Sequence, residues 1–218
     1  MNKKWSELNK TMQAQIKKKD TYEEGIATLF HLRNQLMETL ISFREELSRE
    51  DFNAIPFINA SGYHSKTIAY SIWHIFRIED IVAHTLINES RQIFFAGNYQ
   101  KRIISLIITT GNELVKEQIA EFSEQLNLEE LYSYIFEVKD STEKIISGLA
   151  YDDMKKKISE ERKEQLKSLN VVSDDENASW LIDYWCGKDI RGLIQMPFSR
   201  HWIMHIEASL RIKNKIHS

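Results

Sequence analysis

A chain of 218 residues is long enough to bury a sizeable core in one domain, and 42% hydrophobic with 28% charged residues excludes a disordered polymer. A formal net charge of −3 gives no electrostatic reason to bind nucleic acid, which calls for a basic face. The lone cysteine, Cys186, excludes an intramolecular disulfide and a CxxC metal site, while two prolines and seven glycines leave long helices little interrupted.

The segment from Met1 to Glu7 is polar and lacks the apolar core of a signal peptide. No apolar run approaches a membrane span; the longest, Ile103 to Ile108, is broken by Ser105. The expectation is a soluble, cytoplasmic protein with neither nucleic acid nor membrane as partner. Residues 1–20 read as an N-terminal helical extension, because Trp5, Leu8, Met12 and Ile16 recur at spacings of three and four. Asp20 or Thr21, with Glu23 or Glu24 three residues on, has the pattern of a capping box. It would open a first long helix running to about Leu47, with Ile26, Leu29, Phe30, Leu36, Met37, Leu40 and Phe43 inward. His31, near Asn34, reads as an ordinary hydrogen-bonded histidine. Ser48 to Gly62, with Pro56 and small polar residues, reads as a connection.

A second long helix is predicted from about Ser65 to Asn88. With His74 as reference, Thr67, Ser71, Ile78, Ile81 and Thr85 share its stripe. Arg77, Asp80 and His84 fall together on another side, which is expected to be wet, with His84 a solvent residue near Asp80. Glu79 stands about 140° around the helix from His74, so it cannot share that face and reads as a solvent or interhelix pair. Gly97-Asn98 predicts a turn, and Lys101 to Leu126 one or two short helices interrupted near Gly111. Asn127 or Ser123 can cap a third long helix from about Leu128 to Leu149, with Leu131, Ile135, Val138, Ile145 and Ile146 inward.

Residues 151–177 form a charged insert whose apolar stripe, Met154, Ile158, Leu166 and Leu169, is thin; a peripheral helix and a polar loop are predicted there. Ala178 to Trp185 reads as helical and Cys186 to Asp189 as a turn, with Cys186 a small buried hydrophobe. A last helix is predicted from Ile190 to about Lys215, kinked or broken at Pro197. Trp73, Trp180, Trp185 and Trp202 read as core. No segment alternates as a half-buried strand does, and no repeat recurs at a fixed period. The predicted fold is all-α: one domain over residues 1–218, a four-helix bundle with long crossover connections and short peripheral helices.

His201 and His205, four residues apart on the last helix, lie one turn apart on one side, so both imidazoles can converge on one ion. On that helix Arg200, Glu207 and Arg211 mark the wet face, and the histidine pair lies at the border of the apolar one. His74 on the inner stripe of the second helix would complete a set of three neutral imidazoles with coordination positions left open. Competing constellations are missing: no Glu-x-x-His precedes any histidine, and no His-Glu-x-x-His, glycine-rich phosphate loop or Gly-x-Ser-x-Gly elbow occurs. His64, in a loop, and His217, at the terminus, are poor ligand candidates.

Ser71-Ile72-Trp73-His74-Ile75-Phe76-Arg77-Ile78-Glu79, followed in the last helix by His201-x3-His205, resembles the DinB/YfiT-like superfamily of helical bundles. Leu29 to Asn34 is similar to that family's first helix, and the resemblance spans about Thr21 to Lys215. It implies His74, His201 and His205 as ligands of one divalent ion (zinc, nickel, iron or manganese), a homodimer, and a small-molecule substrate handled by thiol transfer or by hydrolysis. Ile206-Glu207-Ala208-Ser209 stands where many members continue His-x3-His-x-Gly-Gln, and the charged insert is long for the family, so the resemblance carries the triad rather than a substrate. The alternative is a non-catalytic helical interaction or dimerisation protein.

Overall fold

The computed structural model describes residues 2–218. Among them the chain is all-helical, and its one extended pairing is an isolated antiparallel bridge between Lys157 and Asp189.

Helix α1 (Lys3–Gln15) is capped by the Asn2 side chain, which accepts from the amides of Lys4 and Trp5, and it buries Trp5 and Met12. Helix α2 (Tyr22–Glu46) follows through a tight 3₁₀ turn, Lys19–Thr21. The capping box expected here does not form, because the Thr21 hydroxyl donates instead to the Gln15 carbonyl at 2.8 Å. The turn is committed to folding α1 back onto α2, and Gly25 makes room for it: a β-carbon there would meet Ile16 at 2.6 Å. The following connection contains a short helix, α3 (Arg49–Asn53), opened by a Ser48–Asp51 capping box where the sequence predicts only a connection.

Helix α4 (Ile68–Asp80) starts at Thr67, whose hydroxyl accepts from the Tyr70 amide, and continues into a π-helical stretch, Ile81–Ile87. Short helices α5 (Ile93–Ala96) and α6 (Tyr99–Ile103) flank the predicted turn at Gly97 and Asn98, the latter left-handed at φ 55°. Helix α7 (Glu117–Gln125) precedes α8 (Leu128–Ser147), and Asn127 caps α8 by accepting from the Glu130 amide. In the charged insert, α9 (Glu160–Ser168) buries Leu166 while Leu169 stays exposed. Helix α10 (Trp180–Cys186) and α11 (Ile190–Gln195) lead through a π-turn at Met196–Arg200 into α12 (His201–Ile216). Cys186 is half-buried rather than buried, since the end of α10 lies near the surface.

The long helices α2, α4, α8 and α12 pack on one another. One apolar cluster joins α2, α4, α7, α8 and α12 through residues such as Leu36, Trp73, Phe76 and Ile135. A second gathers the start of α2 with α9 to α11 through Leu29, Ile81, Trp185 and Leu193.

Every residue of α4 is buried, which corrects the expected wet side. Arg77 and Asp80 are covered by the connection after α4, which folds back along it, and His84 meets Ser141 of α8. Asp80 accepts from the amides of Ile93 (2.9 Å) and Phe94 (2.8 Å) and from the Tyr134 hydroxyl (2.9 Å). Arg77 donates to the Ile108 carbonyl at 2.7 and 3.0 Å and lies 4.4 Å from the Phe94 ring centroid. His84 is 2.8 Å from an Asp80 oxygen and 2.8 Å from the Ser141 hydroxyl. The polar stripe thus recruits backbone and side-chain partners instead of water.

Glu79 forms an interhelix pair. It accepts from Arg33 of α2 at 2.8 and 2.9 Å and from the Trp202 indole of α12 at 2.8 Å. The same guanidinium donates to Glu143 of α8 (3.0 Å) and to the Phe198 carbonyl in the π-turn (3.0 Å). Arg33 and Glu79 are fully buried, so this one node ties all four long helices. Burial alone would lower the Arg33 pKa, but Glu79 and then Glu143 outweigh it and raise it.

Candidate metal centre

Two elements bring the histidines together. Pro197 has no amide hydrogen to continue α11, and the backbone answers with the π-turn. The Ser199 hydroxyl donates to the Ile194 and Gln195 carbonyls at 3.2 and 3.1 Å, satisfying groups the turn leaves over. Helix α12 then starts at His201, and His201 and His205 both face α4. On α4, His74 is 5.1 Å from His201 and 4.8 Å from His205 between ring centroids, and the pair itself is 4.6 Å apart. One ligating atom from each residue lies within 4.8 Å of the other two, and all three residues are buried.

The second contact of each ring is unequal. His74 Nδ1 is 2.6 Å from the Thr110 carbonyl, an acceptor only, so Nδ1 carries the proton and Nε2 presents its lone pair. A metal-binding histidine is oriented in this way by a backbone carbonyl. Nδ1 of His201 and Nδ1 of His205 are buried with no hydrogen-bond partner. Such orphaned polar atoms cost about 1–3 kcal/mol each, and this core tolerates two side by side. Three buried imidazoles with uncommitted nitrogens and no carboxylate or thiol among them fit a divalent ion that accepts nitrogen donors.

Electrostatics favour the ligating form. Burial pushes His74 down from 6.5 to about 4, against the Thr110 hydrogen bond. Burial likewise holds His201 and His205 well below their ordinary value, helped at His201 by His74 and at His205 by His201, His74 and the Lys66 charge. All three are neutral at physiological pH, as metal ligation requires.

The triad lines a cavity of about 490 Å³. Tyr70 stacks on His74 at 5.3 Å and donates its hydroxyl to the Gly111 carbonyl at 2.8 Å. Tyr63 meets His205 edge-on at 4.7 Å. Gly111 has φ +76°, and a β-carbon there would come within 2.8 Å of Trp73 and 3.1 Å of Tyr70. Only glycine lets the strand of backbone carrying Thr110 lie this close to α4.

The remaining sequence candidates lie elsewhere. His31 is exposed and contacts Gln35 at 2.7 Å, His64 contacts Arg211 at 2.9 Å, and His217 is exposed near Asp51. Trp73, Trp185 and Trp202 are buried, but Trp180 is 50% exposed and lines the cavity, which corrects its reading as core. Helix α10 is short and follows a polar loop, so its first residue faces the opening. Lys66, Tyr63, Tyr70 and Thr110 were not singled out in the sequence. The first three lie within eleven residues of His74 but carry no motif, and Thr110 acts through its backbone, which no residue type reveals. No family model matches the chain, and no curated protein matches it.

Proposed function

We propose that this protein is a metal-dependent enzyme of DinB type, a four-helix bundle with long crossover connections that holds one divalent ion on His74, His201 and His205. The observation that carries this reading is the convergence of three buried, neutral imidazoles at the wall of a 490 Å³ cavity. Three protein ligands leave a position for substrate, whereas a closed structural site would use four. Zinc, nickel and iron suit an all-imidazole set; manganese, which prefers carboxylate and water, ranks below them.

An ion there supplies Lewis acidity, lowering the pKa of a coordinated thiol or water toward neutrality. The chain's own residues do the rest. Thr110 fixes the tautomer of His74, Tyr70 and Tyr63 pack against the ligand rings, and Trp180 and Tyr184 flank the opening. The reaction is transfer of a low-molecular-weight thiol to an electrophile or hydrolysis of a small molecule, and the proposed assembly is a homodimer.

The test is metal content. Protein made without a histidine tag is expected to carry near-stoichiometric metal by mass spectrometry and to lose it in His74→Ala and in His205→Ala. Metal undiminished in both variants would sink the triad. Assays with a panel of thiols and an electrophile, set beside ester and amide substrates, then separate transferase from hydrolase.

A further inference from the structure

Lys66 offers no ligand atom to the metal centre, yet it lines the same cavity, and its charge helps to keep His74 and His205 neutral. It sits just ahead of α4, with Nζ 5.1 Å from the centroid of the Tyr70 ring that stacks on His74. Burial depresses its pKa, and no carboxylate offsets that effect. No aspartate or glutamate lines the cavity at all. The enclosure therefore holds one cationic side chain, three neutral imidazoles and no built-in counter-charge. A partly buried cation that meets only an aromatic face and no carboxylate is costly, and the cost is recovered when an anion arrives. A divalent ion on three neutral ligands would add further positive charge with nothing in the ligand set to balance it.

Another part of the lining is apolar and aromatic. Trp180 is half-exposed at the opening and meets Tyr184 edge-on at 5.5 Å, with Trp185 and Leu181 behind them. An exposed indole beside a second ring is a platform for a planar or apolar body, and each such ring contributes a large contact area. The volume lies within the range of small-molecule sites rather than polymer clefts.

We infer that the ligand of this cavity is an amphiphilic small anion, with its acidic group held by Lys66 and its apolar or aromatic body against Trp180 and Tyr184. Asn112 and Asn177 supply the cavity's amide groups for any further polar atoms. The inference rests on reading the cavity as the substrate site, but it does not require the metal.

The experiment is calorimetric titration of the full chain, both chelator-treated and zinc-loaded, with three matched probes: 2-naphthoate, 2-naphthamide and 2-naphthylmethylammonium. In the chelator-treated protein, 2-naphthoate is expected to bind about tenfold or more tightly than the amide, the size of a charge-assisted hydrogen bond, and the ammonium probe weakest. Lys66→Met should erase the preference without changing amide affinity, Lys66→Arg should keep it, and Trp180→Ala should weaken all probes alike. Circular dichroism confirms that the variants are folded. Equal affinities for the three probes, no binding of 2-naphthoate, or a preference surviving Lys66→Met would each overturn the inference. The metal reading fails separately: a naphthoate preference in protein that binds no metal keeps the anion site and removes the metal centre. Metal bound without probe discrimination does the reverse.

Discussion

His74 and Thr110 are joined at 2.6 Å, imidazole Nδ1 to backbone carbonyl, so the orientation of one candidate ligand depends on a loop thirty-six residues away. The path of that loop depends in turn on Gly111, which is left-handed and pressed against Trp73 and Tyr70. Gly111→Ala is therefore expected to weaken metal affinity about 10- to 100-fold, the usual cost of disturbing a ligand's supporting contact. Competition against a chromophoric zinc chelator measures it. Unchanged affinity would mean that Thr110 does not orient His74.

Metal binding should also appear as stability. At a free zinc concentration 100 times Kd, binding only to the folded state contributes about 2.7 kcal/mol. Thermal unfolding with and without zinc should show a clear upward shift in Tm for the native chain and none for His205→Ala. An equal shift in both would place the ion elsewhere.

The Arg33–Glu79 node is expected to behave as a buried pair that is costly to break from one side. Arg33→Met strands Glu79 with only the Trp202 indole, and a loss of about 3–5 kcal/mol in urea unfolding is expected. Glu79→Gln should also be costly, since it removes the charge facing the buried guanidinium and replaces one acceptor oxygen by an amide donor. The two losses should be strongly non-additive in the double variant; simple additivity would show that the pair acts as two independent contacts.

His84 gives a pH signature. Burial lowers its pKa, but the hydrogen bond and charge of Asp80 outweigh burial, with a smaller push from Glu79, so the net shift is upward. Protons are then bound more tightly in the folded state. The stabilisation is fully present below the unfolded value near 6.5 and is lost as pH rises through the raised folded value. Comparing urea unfolding of the native chain with His84→Gln from pH 5.5 to 9 cancels contributions common to both, including the three cavity imidazoles. The native advantage should be largest at the acid end, about 1.5–3 kcal/mol for a charged hydrogen bond, and shrink toward pH 9. An advantage that grows with pH would refute the assignment.

The all-helical class and most helix boundaries were legible because apolar spacing and caps such as Asn127 are local signals. So was the pairing of His201 with His205, which needs only the helical period. Its meeting with His74 is a matter of tertiary packing that the stripe containing His74 suggested. What failed was the environment of Arg77, Asp80 and His84. Periodicity says which residues share a side, but not what covers that side, and over Arg77 and Asp80 much of the cover is a connection with little periodicity of its own. Trp180 failed for the converse reason: an apolar residue type predicts burial on average, and this one is held at an opening. Lys66 carried no signal, because a cation without a carboxylate partner is recognisable only once its surroundings are assembled.

The π-turn at Met196–Arg200 sets the phase of everything after it. A π-turn amounts to one extra residue in a helix, and each residue advances an α-helix by about 100°. Deleting a single residue between Met196 and Arg200, and so restoring a continuous α-helix, would swing His201 and His205 by that angle toward a different neighbour. The chain length of this one turn, more than any side chain in it, aims both imidazoles at His74.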